Sequence, residues 1–290
     1  MLYVLLLAPL LSLPTADRAA PRFPAPVELE EHTAEVFSLA SAPDGKTLAS
    51  ASKDKTVRLW DAVSGEPGLV LKGHTADALR VAFSPDGKRV ACAGGDGTVR
   101  VWDAATGKEA LVIKAHTNWA CGLAYSPDGK RLATCGADKL AAVWDAATGE
   151  RKATFTGHPA EVWAVAFAPD GKAVASACKD KSIRLWDAAT GEQKLTLDGH
   201  EGEVFTLAFR DAKTLLSCSA DKTARAWDVS TGKPGFTLAG HTAGVFSVAA
   251  ADGLVYTASD DKGAKVWFPD GAREAAALPN HKNGVYAVAV

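Results

Sequence analysis

Short apolar stretches alternate with polar turn sequences along most of the chain, and residues 162–197 show the pattern clearly. Four stretches of four to six residues there predict strands at Val162–Phe167, Ala173–Ala177, Ser182–Trp186 and Lys194–Leu197. The predicted turns between them are Pro169-Asp170-Gly171, Lys179-Asp180-Lys181 and Thr190-Gly191. A parallel α/β fold would need helical stretches of about 10–15 residues between its strands, and none are present. The pattern therefore predicts an all-β, antiparallel protein.

This four-strand unit recurs with a period of about 42 residues. All seven histidines follow that period, with spacings of 42, 42, 42, 42, 41 and 40: His32, His74, His116, His158, His200, His241 and His281. Six of the eight tryptophans do so too: Trp60, Trp102, Trp144, Trp186, Trp227 and Trp267. An aspartate stands six residues before each of them: Asp54, Asp96, Asp138, Asp180, Asp221 and Asp261.

Two dipeptides mark the repeats. Gly-His stands at 73-74, 157-158, 199-200 and 240-241, and Trp-Asp at 60-61, 102-103, 144-145, 186-187 and 227-228. From about residue 27 to residue 290 the chain therefore resembles WD40-repeat proteins. The resemblance implies a β-propeller of four-stranded antiparallel blades around a central channel. The chain departs from the pattern at Glu31-His32, Ala115-His116, Trp267-Phe268 and Asn280-His281.

The last repeat stops at HKNGVYAVAV, which supplies only an inner strand. Residues Val27–Glu31 resemble the outer strand of a blade, and in this family the two chain ends usually complete one blade together. We therefore predict six complete repeats and an incomplete seventh blade that lacks roughly 20–25 residues. The alternative is a six-bladed ring with two stray strands.

Resemblance to the family places one His, one Ser or Thr, one Asp and one Trp in a hydrogen-bonded chain inside each blade. The tetrads are His32, Ser50, Asp54 and Trp60; His116, Thr134, Asp138 and Trp144; His158, Ser176, Asp180 and Trp186; His200, Ser217, Asp221 and Trp227; and His241, Thr257, Asp261 and Trp267. In the second repeat Cys92 takes the place of the hydroxyl residue.

The tetrads also contain the residue types of a Ser-His-Asp nucleophile. A structural role is favoured because the set recurs five times in full and no copy is singled out. A buried indole N–H and both nitrogens of a buried imidazole need partners, which the tetrad provides. On this interpretation Asp180→Ala leaves an imidazole unpaired and destabilises the fold by about 1–3 kcal/mol.

Positions that differ between repeats are the candidates for an individual function. Five residues after each histidine stand Phe37, Leu79, Cys121, Trp163, Phe205, Phe246 and Tyr286. The resemblance places this position near the channel mouth, on the top face that commonly binds peptides. Three residues after each histidine stand Glu35, Asp77, Trp119, Glu161, Glu203, Gly244 and Gly284.

An aromatic mouth rimmed by carboxylates suits a protein or peptide segment that carries Lys or Arg. The predicted partner-binding residues are Phe37, Trp119, Trp163, Phe205, Phe246, Tyr286, Glu35, Asp77, Glu161 and Glu203. The alternative is that the aromatic side chains plug the channel while nearby lysines neutralise the rim as weak surface pairs. Those lysines are Lys55, Lys139, Lys181, Lys222 and Lys262.

Composition narrows the function classes further. The formal net charge is −2, which argues against nonspecific nucleic-acid binding. The five cysteines form no Cys-x-x-Cys pair, and the histidines form no ligand pair. There is no phosphate-binding glycine motif, and Gly94-Gly95-Asp96-Gly97 is interpreted as a turn. We predict no catalytic residue, metal or cofactor.

The N-terminal segment differs from the repeats. The apolar run Leu2–Leu13 is too short for a membrane-spanning helix and resembles a secretory signal core, although no Lys or Arg precedes it. Small residues at Thr15-Ala16 and Ala19-Ala20 offer cleavage sites. We predict a signal peptide at 1–20, a propeller at 21–290 and export to the periplasm or medium. With a wrongly assigned start codon, the protein would be cytoplasmic.

The sequence therefore predicts a non-catalytic propeller scaffold that mediates protein–protein interaction through its top face and channel mouth. Two alternatives remain open. One is a propeller module of a larger or truncated chain. The other is a small-ligand binder or enzyme that uses the channel, since fold alone does not give function.

Overall fold

The computed structural model describes residues 2–4, 27–268, 273–278, 281 and 283–289. All secondary-structure elements in these ranges are β-strands. In the same ranges no helix is long and apolar enough to cross a membrane. The strands β1 (Leu2–Val4) and β2 (Val27–Leu29) pair antiparallel with each other, with Leu2 opposite Leu29.

The remaining strands form six sheets of four, here called blades one to six. Blade one contains β3 (Val36–Ser41), β4 (Thr47–Ser52), β5 (Val57–Asp61) and β6 (Pro67–Leu71). Blade two contains β7 (Ala78–Phe83), β8 (Arg89–Gly94), β9 (Thr98–Asp103) and β10 (Glu109–Lys114). Blade three contains β11 (Ala120–Tyr125), β12 (Arg131–Gly136), β13 (Ala141–Asp145) and β14 (Arg151–Phe155).

The second half of the chain repeats this layout. Blade four contains β15 (Val162–Phe167), β16 (Ala173–Cys178), β17 (Ile183–Asp187) and β18 (Gln193–Leu197). Blade five contains β19 (Val204–Phe209), β20 (Thr214–Ser219), β21 (Thr223–Asp228) and β22 (Pro234–Ala239). Blade six contains β23 (Val245–Ala251), β24 (Leu254–Ser259), β25 (Ala264–Trp267) and β26 (Glu274–Ala277).

Every blade is antiparallel, and its strands are adjacent in chain order. The prediction of an all-β fold made of four-stranded antiparallel blades is confirmed. In blade four the predicted strand Val162–Phe167 matches β15, and the other three agree with β16–β18 to within one residue at either end. The agreement follows from the clear turn chemistry at each strand end.

The hydrophobic cores lie between neighbouring blades. The second strand of a blade is buried along almost its whole length, as in β16, because both faces of the sheet are covered. The outermost strand is largely exposed, as in β6. One core joins Leu59 and Leu71 of blade one to Val81 and Trp102 of blade two. Each blade is thus stabilised by its neighbours, as in other repeat architectures.

The inner strands β3, β7, β11, β15, β19 and β23 contact one another in that order around the centre. Because the strands of a blade are antiparallel, the turn between its second and third strands lies at one end of the blade. The connection from its fourth strand to the next inner strand lies at the same end. We call this end the top face. It carries the turn at Lys179-Asp180-Lys181, where Lys181 adopts a positive φ of 76°.

Residues 283–289 lie between blade six and blade one. The Val288 N–H donates to Ser247 Oγ of β23 at 3.2 Å, and Val288 packs against the core of blade six. Ala289 packs against the cluster of Leu48 and Trp60 in blade one. Within the described residues this segment forms no regular strand, and β2 pairs with β1. The structure therefore shows six complete blades.

Candidate functional site at the channel mouth

The interior of blade five holds one closed chain of hydrogen bonds. His200 Nδ1 lies 2.6 Å from Asp221 Oδ2, and His200 Nε2 lies 2.7 Å from Ser217 Oγ. Ser217 Oγ also accepts the indole N–H of Trp227 at 2.8 Å. The same contacts join His32, Ser50, Asp54 and Trp60; His116, Thr134, Asp138 and Trp144; and His241, Thr257, Asp261 and Trp267. Their polar atoms are satisfied within the blade, which suits a structural role.

Blade four departs from this arrangement. The Arg184 guanidinium donates to His158 Nδ1 at 2.8 Å and to Asp180 Oδ2 at 2.9 Å. Because Arg can only donate, His158 Nδ1 is the acceptor, and His158 Nε2–H donates to Ser176 Oγ at 2.6 Å. From the sequence we expected Asp180→Ala to destabilise the fold because it would leave the His158 imidazole unpaired. That reason is wrong. Arg184, which reaches the imidazole from the third strand, is the partner of His158 Nδ1.

This arrangement shifts both pKa values. Burial, followed by the nearby charge of Arg184, lowers the pKa of His158 to about 4. Burial alone would raise the pKa of Asp180, but hydrogen bonds from Ser182 and Arg184 outweigh it and lower the pKa to about 2. At neutral pH the blade therefore contains a neutral imidazole beside an Arg–Asp ion pair.

Potential metal ligands also meet in blade four, where His158, Cys178 and Asp180 have ligand atoms within 4.8 Å of one another. Arg184 is hydrogen-bonded to two of these residues, so a metal ion would have to displace a cation. Burial raises the pKa of the Cys178 thiol to about 11, which disfavours the thiolate that binds metals. The cluster is better explained as part of the blade interior.

Blade two has an incomplete chain because Cys92 replaces the hydroxyl residue. The Cys92 thiol donates to the Ala93 carbonyl at 3.4 Å, and His74 Nε2 is buried without a hydrogen-bond partner. His74 Nδ1 still lies 3.1 Å from both carboxylate oxygens of Asp96. The hydrogen-bonded chain of blade two therefore lacks its central hydroxyl group, which in other blades joins the imidazole to the indole.

A β-bulge interrupts the pairing of every inner strand with its neighbour. In β15 the register shifts between Val162 and Ala164, so that Trp163 has no partner residue across the ladder. The residues skipped in the six blades are Phe37, Leu79, Cys121, Trp163, Phe205 and Phe246. These are the positions five residues after each histidine. A bulge commonly re-aims a side chain, and here it turns six of them toward the channel.

The skipped residues meet in one cavity of about 240 Å³. We call it the channel cup, and its lining residues are Phe37, Leu79, Arg80, Trp119, Cys121, Trp163, Phe205, Phe246 and Tyr286. The rings of Phe205 and Phe246 lie 5.0 Å apart, and those of Phe246 and Tyr286 lie 5.2 Å apart. Trp119 is 53% exposed, so the cup is open to solvent on that side.

The acidic residues Glu35, Asp77, Glu161 and Glu203 do not line the cup itself. Glu35 pairs with Lys53 at 3.2 Å, and Glu161 pairs with Lys179 at 3.4 Å. Glu203 accepts the indole N–H of Trp163 at 3.2 Å. Among the described residues, the ion pairs of Glu35 and Glu161 therefore use Lys53 and Lys179. They do not use Lys55, Lys181 or their counterparts, which the alternative of a plugged channel had named. The reason is local: Lys53 and Lys179 are the first residues of their turns, whereas Lys55 and Lys181 occupy the positive-φ position.

Sequence reasoning missed Arg80, which lies one residue further along its inner strand than Leu79. Its Nη2 donates to the Phe205 carbonyl and to Thr206 Oγ1, both at 3.1 Å, and so links blade two to blade five. The other repeats have small residues at this position: Ser38, Gly122, Ala164, Thr206, Ser247 and Ala287. A single charged residue in that series was the signal that could have identified it.

Six four-stranded blades stand around a channel, and four of them contain a hydrogen-bonded set of His, Ser or Thr, Asp and Trp side chains. This arrangement defines a β-propeller of the repeat class. The family model described as "WD domain, G-beta repeat" matches residues 26–61, 65–103, 107–145, 149–187, 191–228 and 232–267. The chain belongs to the WD40 family. WD40 propellers are typical protein-interaction scaffolds and are generally non-catalytic.

Two Arabidopsis thaliana proteins share a short similar stretch with the chain. They are named "Cell division cycle 20.6, cofactor of APC complex" and "Cell division cycle 20.5, cofactor of APC complex". Each is 55% identical to the chain over 40 residues, which is 14% of this chain and 9% of the relative. The similarity covers about one repeat and less than a tenth of either relative.

Proposed function

We propose that the protein is a binding platform that holds a protein or peptide partner at the channel cup and its rim. The observation that supports this most strongly is the repeated bulge, which collects aromatic side chains from separate blades in one open cavity. Aromatic residues are enriched among the side chains that contribute most to protein–protein binding. The carboxylates on the rim suit Lys or Arg residues that flank the inserted segment.

The blade interiors favour a binding role over hydrolysis. In blades one, three, five and six the hydroxyl oxygen is bonded to both an imidazole and a buried indole, as Ser217 is to His200 and Trp227. A nucleophile needs access to its substrate and an adjacent oxyanion site. Ser217 is fully buried, so substrate would not reach it without opening the blade.

The test is an affinity capture from the native host with the double variant Trp163→Ala/Phe205→Ala. The control Val63→Ala/Val112→Ala removes two exposed apolar side chains that lie outside the cup. We expect the wild type and the control to retain the same partner and the cup variant to lose it, with similar melting temperatures for all three. Equal retention by the cup variant would contradict binding at this face.

The two Arabidopsis relatives carry names that describe a cofactor of the APC complex. A role in bringing proteins together is consistent with those names. Since the similarity covers a single repeat, it supports a binding role for this chain without specifying the complex.

We further propose that residues 283–289 occupy the inner-strand position of an incomplete seventh blade. In support, Val288 N–H bonds Ser247 Oγ at 3.2 Å, as Val81 N–H of blade two bonds Ser38 Oγ of blade one at 3.2 Å. Val288 and Val81 both follow their histidine by seven residues, and Ser247 and Ser38 both follow theirs by six. The segment thus takes the place of a next blade.

Removal of residues 283–290 tests this placement. We expect a clear loss of thermal stability, because the cores of blades one and six would each lose a covering segment. A six-bladed ring that closes without the segment would keep its melting temperature. The control is the single change Tyr286→Ala, which leaves the backbone of the segment in place.

The N-terminal assignment stays a proposal as well. We propose that residues 1–20 direct export and are removed, on the basis of the apolar run Leu2–Leu13. Removal would delete β1 and leave β2 without its partner strand. Two measurements on the native host test this. The intact mass of the isolated protein tests whether residues 1–20 are removed, and cell fractionation tests whether the protein is exported.

A further inference from the structure

We propose that the channel cup binds a peptide carboxylate, with the Arg80 guanidinium as its receptor. The inference rests on the proposed function and specifies the chemistry of the bound segment. It starts from a cation that lines an otherwise apolar cavity between six converging strands. No other lining residue of the cup carries a charge.

The hydrogen bonds of Arg80 leave part of the guanidinium available. The two hydrogens of Nη2 serve the Phe205 carbonyl and Thr206 Oγ1, which are neutral acceptors. Among the described residues, no carboxylate oxygen lies within 4.0 Å of the Arg80 nitrogens. Nη1 and Nε make no hydrogen bond to those residues, so three of the five N–H groups can serve a ligand.

A cation in such surroundings normally has an anionic partner. Desolvation of a charge is costly unless the charge is paired, and the guanidinium remains protonated in proteins. Burial lowers the pKa of Arg80, because desolvation disfavours the charged form of the side chain. A bound carboxylate would offset this cost through charge-assisted hydrogen bonds that match the planar fork of the side chain.

The size of the cup indicates how much of a ligand enters. Its volume is about 240 Å³, whereas sites for drug-sized molecules measure about 300–1,000 Å³. An apolar cavity of about 150 Å³ already accepts benzene. The cup therefore fits one side chain or one chain end with an apolar stem, and leaves the rest of a partner on the rim.

A carboxylate fits the cup better than a phosphate group. A phosphate carries nearly two negative charges and is usually bound by several cations or backbone N–H groups. The cup offers one guanidinium, and its other lining residues are aromatic, aliphatic or thiol side chains. A single negative charge on an apolar stem matches both features, as in a Glu side chain or a C-terminal residue.

The test compares two small probes of the same shape, 3-phenylpropionate and its neutral amide, 3-phenylpropionamide. Binding is followed by calorimetry and by intrinsic tryptophan fluorescence, to which the cup residues Trp119 and Trp163 contribute. We expect the acid to bind at least about tenfold more tightly than the amide, because a hydrogen-bonded ion pair replaces a neutral contact. A ratio near one, or no detectable binding of either probe, would overturn the proposal.

Two variants assign the selectivity to Arg80. In Arg80→Gln the acid-to-amide ratio is expected to fall to about one, and Arg80→Lys is expected to keep part of it. The control Arg89→Gln removes an arginine from the same blade that pairs with Asp103 outside the cup. Selectivity that persists in a folded Arg80→Gln protein would overturn the proposal. If Arg80→Gln does not fold, the acid-to-amide affinity ratios of the wild type and of Arg80→Lys still test whether the cup prefers a carboxylate.

Blocked peptides distinguish the source of the carboxylate. One peptide has both ends blocked and one central Glu, a second has Gln in its place, and a third is the Gln peptide with a free C-terminus. Selective binding of the first indicates a side-chain carboxylate, and selective binding of the third indicates a chain end. Equal binding of all three argues against carboxylate recognition.

The same variants separate this inference from the proposed function. If Trp163→Ala/Phe205→Ala loses a captured partner and Arg80→Gln retains it, the platform stands and carboxylate recognition fails. If the probes show acid selectivity and no partner depends on the cup, the carboxylate site stands and the platform fails.

Discussion

The blade interiors and the channel cup come from the same repeats, yet they differ in how the repeats use each position. Inside the blades the same His, Asp and Trp recur, and in blade five they form a closed chain around Ser217. In the cup the residue five places after the histidine varies among the repeats: Phe37, Leu79, Cys121, Trp163, Phe205, Phe246 and Tyr286. The cup residues come from separate blades and line one cavity, whereas each hydrophobic core is shared by neighbouring blades.

This difference distinguishes positions that stabilise the fold, in the blade interiors, from positions that are candidates for recognition, in the cup. A blade interior must satisfy every buried polar atom, and only a few residue types do so in that space. The channel cup is open to solvent and contains no repeated hydrogen-bonded set, so its side chains are free to differ. Blade four and blade two show intermediate behaviour, because Arg184 and Cys92 alter the chain of bonds while the sheet stays intact.

The largest expected effect is a difference in stability between two tryptophan variants, one in a blade interior and one in the cup. Trp227 is 1% exposed and Trp119 is 53% exposed. Trp227→Ala should lower the free energy of unfolding by about 3–5 kcal/mol, because it leaves a cavity and removes the indole bond to Ser217. Trp119→Ala should lower it by less than about 1 kcal/mol. Urea denaturation of both variants measures this, and equal losses would remove the distinction between interior and cup.

Acid should destabilise the interior through His158. The unfolded imidazole takes up a proton near its usual pKa of 6.5, whereas burial and Arg184 lower the folded pKa to about 4. Between these values the unfolded state binds more protons, so the free energy of unfolding falls as the pH falls. At about 1.4 kcal/mol per pKa unit, the contribution is about 3 kcal/mol. Urea midpoints across this range should fall more steeply for the wild type than for His158→Gln, and parallel curves would contradict the assignment.

Removal of one hydroxyl should have a smaller effect. Ser217→Ala leaves both Trp227 Nε1 and His200 Nε2 without their shared partner inside the blade. The expected loss is about 1–3 kcal/mol. Ser230→Ala is the control, because the Ser230 hydroxyl donates to Asp228 on the exposed side of the same blade. A loss no larger than that of the control would show that the chain of bonds contributes little.

The smallest effect should be a gain in blade two. Cys92→Ser supplies a hydroxyl beside His74 Nε2, which now lacks a partner. One new hydrogen bond of this kind is worth about 1 kcal/mol. The midpoint of thermal unfolding should therefore rise slightly. A lower midpoint would mean that the buried thiol, which is fully enclosed, packs better than a hydroxyl at this site.

Much of the fold followed from local sequence. Turn residues such as Pro169-Asp170-Gly171 fix where strands end, so the strands of blade four were predicted to within one residue. The partner of His158 was not predictable in this way. Arg184 and Asp180 both lie within reach of the imidazole, and only the packed blade determines which of them contacts Nδ1.

The sequence alone determined the repeat, the four-stranded blade and the presence of an aromatic residue at five of the seven positions that follow a histidine by five residues. The reason is that strands, turns and buried polar groups depend on residues close together in a repeat. Tertiary structure decided the rest. The bulges turn the aromatic side chains into one cavity, and circular closure brings Arg80 to Phe205, 125 residues away in the chain. In the sequence Arg80 is one charged residue among many, and only the closure of the six inner strands places it in the cup.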